Sequence, residues 1–184
     1  AKVTLKPGNR VYPSDNLNNG FFKFDTVPPG NYRVVVEGVQ DYMKDSMDVT
    51  VTANHSTLAN VYLKPDTTLV PSVTGITPIV SDSVLFNQDF TYNFSIAMNR
   101  DSVQKALVFS PAVSVIYTWN TENTVLNVKP ATGYSGKTNY CVNLLTTACS
   151  KWKVKLATPS QFSFVTKNRT GLTLERCFPR DLQT

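Results

Sequence analysis

The chain has 184 residues, of which 41% are hydrophobic and 11% aromatic, enough for one or two domains with a buried core. Only 17% are charged, below the usual quarter, while Thr, Ser, Asn and Val are plentiful, a composition that suits β-structure with polar loops. The net charge of +5 is spread out, with seven basic and six acidic side chains in residues 1–65 and eight and five in residues 66–167, so no basic block grips nucleic acid. No apolar run reaches the roughly 18 residues of a membrane-spanning helix, so no membrane insertion by this segment is expected.

Val3 and Leu5 predict a first strand, and a loop rich in Pro, Asn, Ser and Asp follows through Asn19. Strands are then expected near 21–24, 31–37, 47–52 and 57–63. Phe22 and Phe24 alternate with Lys23, Val27-Pro28-Pro29-Gly30-Asn31 is turn chemistry, and Tyr32, Val34 and Val36 resume on one face. The Gly20–Phe24 stretch, the Val-Pro-Pro-Gly-x-Tyr turn and the closing Val61-Tyr62-Leu63 resemble the carboxypeptidase regulatory-like (transthyretin-like) module. The resemblance implies a prealbumin-like β-sandwich over residues 1–65, of a kind usually found as a non-catalytic part of larger extracellular proteins. That family opens with one more strand, of the type Gly-x-Val-x-Asp, before the one that Ala1-Lys2-Val3-Thr4-Leu5 matches. Residues 1–65 are therefore expected to lack the first strand, leaving an exposed sheet edge or an incomplete inner face.

Lys64-Pro65-Asp66-Thr67-Thr68 reads as a short polar linker. Beyond it, strands are expected near 72–77, 90–96, 106–109, 113–119, 124–128, 138–145 and 160–166, with a short helical turn over Asp101–Ala106. Short strands at regular spacing argue for an Ig-like sandwich over residues 66–167. Phe94-Ser95-Ile96-Ala97-Met98-Asn99-Arg100-Asp101-Ser102-Val103 is similar to the Phe-Ser-x-x-Met-Asp-x-x-Ser-Val signature of bacterial Ig-like domains of the large surface-protein (SbsA-type) class. Phe109-Ser110-Pro111, Trp119, Val125–Pro130, Thr138–Val142 and Phe162–Thr166 match later parts of the pattern in order. Asn99 stands where Asp is usual, and Lys151-Trp152-Lys153 replaces an Asp-x-x-Gly-Asn turn. Leu174–Pro179 lines up with Val73–Pro78 at an offset of about a hundred residues, so residues 168–184 are expected to start a further Ig-like module or form a tail. With both ends reading as cut from an array, a fragment of a longer protein is expected.

Chemistry-bearing patterns are sparse. His55, the single histidine, lies in a turn and has no second histidine for a metal or a Ser–His couple. Asp41, Asp45 and Asp48 are the densest acids but lack EF-hand spacing, and no glycine-rich phosphate loop occurs. No catalytic residue, metal or cofactor is therefore expected. Cys141 and Cys149 fall where a hairpin would bring them together, but alternation points Cys141 outward; Cys177 has no obvious mate. Related adhesin modules carry a Lys–Asn isopeptide bond; Lys2 or Lys6, Glu37 and Asn60 supply the residue types without that pattern's Glu-x-x-Ala-Pro-x-Gly-Tyr. Val113, Val115, Tyr117 and Trp119 share one strand face and read as core. Lys151, Lys153 and Lys155 alternate with Trp152, Val154 and Leu156 as a lysine-guarded amphipathic edge. Tyr12, Tyr42 and Tyr134, placed in loops, and Trp152 are the candidate binding residues.

The expected architecture is all-β, two tandem β-sandwich modules in a bacterial surface-exposed or secreted protein. The expected role is a non-catalytic spacer that presents a neighbouring domain of the same polypeptide. The alternatives are a module that binds cell-wall glycan, peptidoglycan or a host glycan or protein, and an accessory domain of an extracellular enzyme.

Overall fold

The computed structural model describes residues 1–13, 20–79 and 81–168, and its regular structure is almost entirely antiparallel β. Strands β1 (Lys2–Lys6), β2 (Arg10–Pro13), β3 (Gly30–Glu37) and β4 (Asp45–Val51) form one sheet in the order β2-β1-β3-β4. Alternation decides its faces. Val3 and Leu5 of β1 stand opposite Val36 and Val34 of β3, and all four are buried. Phe22 and Phe24 from one extended segment, and Ala59, Val61 and Leu63 from another, pack over this face.

Those two segments depart from the sequence expectation. Residues 21–24 and 57–63 keep the alternating burial of strands, yet neither joins a sheet. Conversely, β2 forms inside the stretch expected to be loop, and residues 14–19 of that stretch lie outside the described residues.

Strands β5 (Val73–Thr77), β6 (Phe90–Phe94), β8 (Val115–Trp119) and β9 (Val125–Pro130) make a second sheet, ordered β5-β6-β9-β8. Strands β7 (Leu107–Ser110), β10 (Asn139–Leu144) and β11 (Ser160–Val165) make a third, ordered β11-β10-β7. Each begins and ends within two residues of its expected position. The inner faces of the two sheets share one aromatic core. Phe164 is fully buried with its ring 4.9 Å from Phe90, 5.0 Å from Tyr134 and 5.3 Å from Tyr140. Trp119 stacks on Phe94 at 5.9 Å, and Val113, Val115 and Tyr117 pack beside it, so this stripe is core as its spacing predicts. Cys141 and Cys149 are half-buried free thiols; Cys177 and the repeat at Leu174–Pro179 lie outside the described residues.

A helix, α1 (Arg100–Ala106), bridges β6 and β7. Asn99 caps it, its side-chain oxygen accepting from the Ser102 N–H at 2.9 Å. An amide oxygen caps as well as a carboxylate, so Asn serves where Asp is usual in the signature. Ser102 Oγ in turn donates to the Asn99 carbonyl (2.9 Å) and accepts from the Cys149 N–H (3.0 Å), tying the helix to the segment after β10. Asn99→Ala is expected to lower stability by about 1 kcal/mol, read as a shift in urea midpoint at unchanged slope.

Burial pushes the Tyr92 and Tyr134 hydroxyls well above the usual tyrosine range, with smaller contributions from neighbouring tyrosines and, for Tyr134, Asp89. The unfolded chain releases these protons near pH 10 while the folded chain holds them. Stability is therefore unaffected by them below about pH 9 and falls as pH rises beyond 10; alkaline titration of the melting temperature checks this.

Candidate functional site

The four aromatic residues expected to bind are not brought together. Tyr134 follows Gly133, whose positive φ of 92° turns the chain inward where a Cβ would meet the Phe86 carbonyl oxygen at 3.0 Å. The turn delivers the Tyr134 ring into the core, 1% exposed, so it offers no surface to a ligand. Its hydroxyl is buried without a hydrogen-bond partner, as is that of Tyr92. Tyr134→Phe is accordingly expected to leave stability unchanged or raise it slightly, since only an unsatisfied polar atom is removed; a thermal melt decides. Tyr12 belongs to β2 rather than to a loop and sets its ring edge-on to Phe24 at 6.2 Å.

Tyr42 and Trp152 meet each other. Tyr42 sits in the turn after β3, following Asp41 at φ 65°, and bridges to Pro65. The Met43 N–H donates to the Lys64 carbonyl and the Asp66 N–H to the Asp41 carbonyl, both at 2.9 Å. The connector over residues 64–66 is thus fastened to the turn over 41–43 by backbone bonds.

Trp152 is presented by a hairpin built on Ser150, itself fully buried. Ser150 Oγ accepts from the Trp152 N–H at 3.3 Å and the Val154 N–H at 3.2 Å, while the Lys151 N–H donates to the Ala97 carbonyl at 2.8 Å. This turn stands where the Asp-x-x-Gly-Asn turn of the resemblance is missing. Exposure alternates as the sequence predicts, with Lys151, Lys153 and Lys155 outward and Leu156 buried. Trp152 meets Tyr42 edge-on with ring centroids 5.3 Å apart, and the Lys151 ammonium lies over the indole at 5.0 Å. Trp152 Nε1 and Asp41 Oδ1 are both buried without a hydrogen-bond partner at this junction.

Other candidates separate. Asp48 is held by Arg33 through two contacts of 2.6 and 2.8 Å, which lowers its carboxyl below the usual range, and Asp45 accepts from the Ser46 N–H. Among the described residues no three His, Cys, Asp or Glu side chains gather to hold a metal. His55 is exposed, with Nδ1 2.8 Å from the Ala53 carbonyl oxygen. Lys2 pairs at the surface with Glu37 at 3.3 Å. Among the described residues no helix is long and apolar enough to cross a membrane.

A cavity of about 990 Å³ opens beneath residues 21–27 and 51–60, with Leu5, Val34 and Val49 of the first sheet as its floor.

The two face-to-face antiparallel sheets of residues 73–165, sharing one aromatic core, define an immunoglobulin-like β-sandwich. Residues 66–166 match the model of the bacterial Ig-like domain, and the chain belongs to that family. The family is non-catalytic and is commonly a structural domain of bacterial surface proteins. Solved structures similar to this chain include the L,D-transpeptidase LdtMt1 in complex with imipenem (15% identity, 54% of this chain and 41% of that one, TM-score 0.40). An L,D-transpeptidase from Mycobacterium smegmatis is 18% identical over 54% of this chain and 41% of that one, with a TM-score of 0.38. The S-layer protein rSbsC is 13% identical over 54% of this chain and 14% of its own length, with a TM-score of 0.39. The chain thus spans less than half of each of these structures. No curated protein sequence matches it.

Proposed function

We propose that this chain is a non-catalytic spacer of a larger bacterial cell-surface or secreted protein, holding a neighbouring domain of the same polypeptide at a fixed distance and angle. In this reading residues 1–65 are a carboxypeptidase regulatory-like module lacking its first strand, and residues 66–167 are the Ig-like module. The observation that carries the proposal is the junction. Candidate binding aromatics Tyr42 and Trp152 are turned onto each other, and backbone bonds fasten the connector beside them. A linker tied down in this way limits swing between the parts it joins.

The test is a peptidoglycan and glycan binding screen of the 184-residue chain, together with small-angle scattering. The spacer reading expects one elongated shape and no saturable binding. Saturable glycan binding lost on changing Tyr42 or Trp152 would replace it with a recognition module.

A further inference from the structure

Charge is settled unevenly along the chain. Among the described residues the ion pairs, Lys2 with Glu37, Lys23 with Asp25 and Arg33 with Asp48, all lie in the N-terminal part. Residues 123–168 contain Lys129, Lys137, Lys151, Lys153, Lys155 and Lys167 and no acidic residue. Lys151, Lys153 and Lys155 fall within five consecutive positions, and all three are exposed. Like charges so close repel, and a loose loop would let them spread.

The hairpin that carries them is instead held in place. The Ser150 N–H donates to the Val154 carbonyl at 2.8 Å, the Lys153 N–H to the Ser150 carbonyl at 2.9 Å and the Leu156 N–H to the Ala148 carbonyl at 2.8 Å. Ser150 Oγ and the Ala97 carbonyl fasten the turn, and buried Leu156 anchors its far arm in the core. Lys153 adopts a φ of 65°, a conformation in which glycine or asparagine is less strained. A strained turn thus displays three cations in fixed places with no carboxylate of the described residues paired to them. Such an arrangement is stabilised by an anion from outside.

The chemistry of that anion follows from what else the hairpin offers. Trp152 and Val154 are half-buried and Leu156 is buried, so an acidic protein finds no apolar anchor beside the lysines. The indole of Trp152 is engaged by Tyr42 edge-on and by the Lys151 ammonium, and its Nε1 is buried, so it is not a free platform for a base or a sugar ring. Recognition is left to charge. An isolated anion gains little from exposed lysines in water, whereas linked anions on one molecule add several such contacts and release counterions together. Lysine meets phosphate as a point charge, without the planar fork by which arginine selects carboxylates.

We propose that the hairpin over residues 149–156 docks a linear polymer of phosphodiester-linked, non-aromatic repeats, Lys151, Lys153 and Lys155 each meeting a phosphate. This adds a lateral attachment to the spacer reading and does not rest on it, since the ligand is met by ammonium groups and not by the Tyr42–Trp152 pair.

The probe is a fluorescein-labelled synthetic oligo(glycerol phosphate) longer than the hairpin, titrated against the 184-residue chain. Anisotropy is expected to saturate. The logarithm of the association constant is expected to fall with the logarithm of salt concentration at a slope of about −2, roughly 0.7 for each of three neutralised phosphates. Lys151→Gln, Lys153→Gln and Lys155→Gln combined are expected to weaken binding about tenfold or more in about 0.1 M salt. Lys129→Gln, Lys137→Gln and Lys167→Gln combined remove the same charge elsewhere in the domain and are expected to change affinity by less than about twofold. Lys153→Gly, which relieves the turn and removes one charge, is expected to keep or raise the melting temperature while flattening the slope to about −1.4, so lost binding is separated from lost folding.

Amide chemical shifts of the unaltered chain report the place directly, with changes on adding the oligomer expected over residues 149–156. Absence of saturable binding overturns the proposal. Equal weakening by the two triple variants, or shift changes spread over the remote lysines, overturns it in favour of net charge attraction. Full competition by inorganic phosphate at equal phosphorus concentration would make this a single-anion site, and tighter lysine-dependent binding to phosphatidylglycerol vesicles would make the partner a bilayer; either result overturns it too. Saturable glycan binding lost on changing Tyr42 or Trp152 would end the spacer reading and leave this outcome untouched.

Discussion

Phe164→Ala is expected to lower the stability of the Ig-like domain by about 3–5 kcal/mol, the usual range for deleting a buried aromatic ring. Phe164 is 0% exposed, and its ring is the hub on which Phe90, Phe162, Tyr134 and Tyr140 meet within 4.9–6.1 Å. It joins the two sheets, since Phe90 lies on β6 and Tyr140 on β10. Removing it leaves a cavity whose walls are large rigid rings seated in rotamers that the sheets dictate, so collapse around the gap is limited. With typical domain stabilities of about 5–15 kcal/mol, the variant should be close to unfolding at ordinary temperature. Urea unfolding followed by tryptophan fluorescence is the check, because Trp119 stacks on Phe94 in the same core. A loss below about 1 kcal/mol would mean that the ring cluster is far more deformable than interlocking aromatic packing allows.

Trp152→Ala is expected to release the N-terminal part from the Ig-like domain. The ring contact with Tyr42 disappears, while the backbone bonds that fasten residues 64–66 to residues 41–43 remain. Nuclear spin relaxation should report one common tumbling time for the two parts in the unaltered chain and two shorter, distinct times in the variant. Trp152→Phe, which keeps an edge-to-face partner for Tyr42, should retain the common time. If Trp152→Ala tumbles as one body, contacts other than the aromatic pair set the geometry and the pair is incidental.

Much of the Ig-like region was legible because its strands are short, alternate cleanly and are separated by turn residues. Leu126 and Val128 against Asn127 and Lys129 is a typical case, with both aliphatics fully buried. The same rule misled at residues 21–24 and 57–63. Alternation reports that one face is buried; it says nothing about whether the backbone finds a ladder partner. Strand β2 escaped for the opposite reason, since Arg10-Val11-Tyr12-Pro13 is embedded in Pro, Gly and Asn and gains its conformation only by pairing with β1. Tyr134 looked exposed because its neighbours are loop-formers, and the inward turn depends on a single positive φ at Gly133. The meeting of Tyr42 with Trp152 is a long-range contact between two turns, and no local pattern encodes it.

The chain passes through the Ig-like domain from end to end. Ser72, beside Ser95, lies at the same end as the Trp152 hairpin, where Met98 bridges to Ser150. β11 runs antiparallel to β10 and finishes at the opposite end, where Lys167 accepts from Lys137 and Thr166 bridges to Val84. A tensile load carried along the polypeptide therefore pulls on β5 and β11 parallel to their lengths. Ladder hydrogen bonds lie across that direction, so the six residue pairs of β10 with β11 are sheared together rather than peeled one after another. The order in which these strands are threaded makes the domain a link that resists stretching.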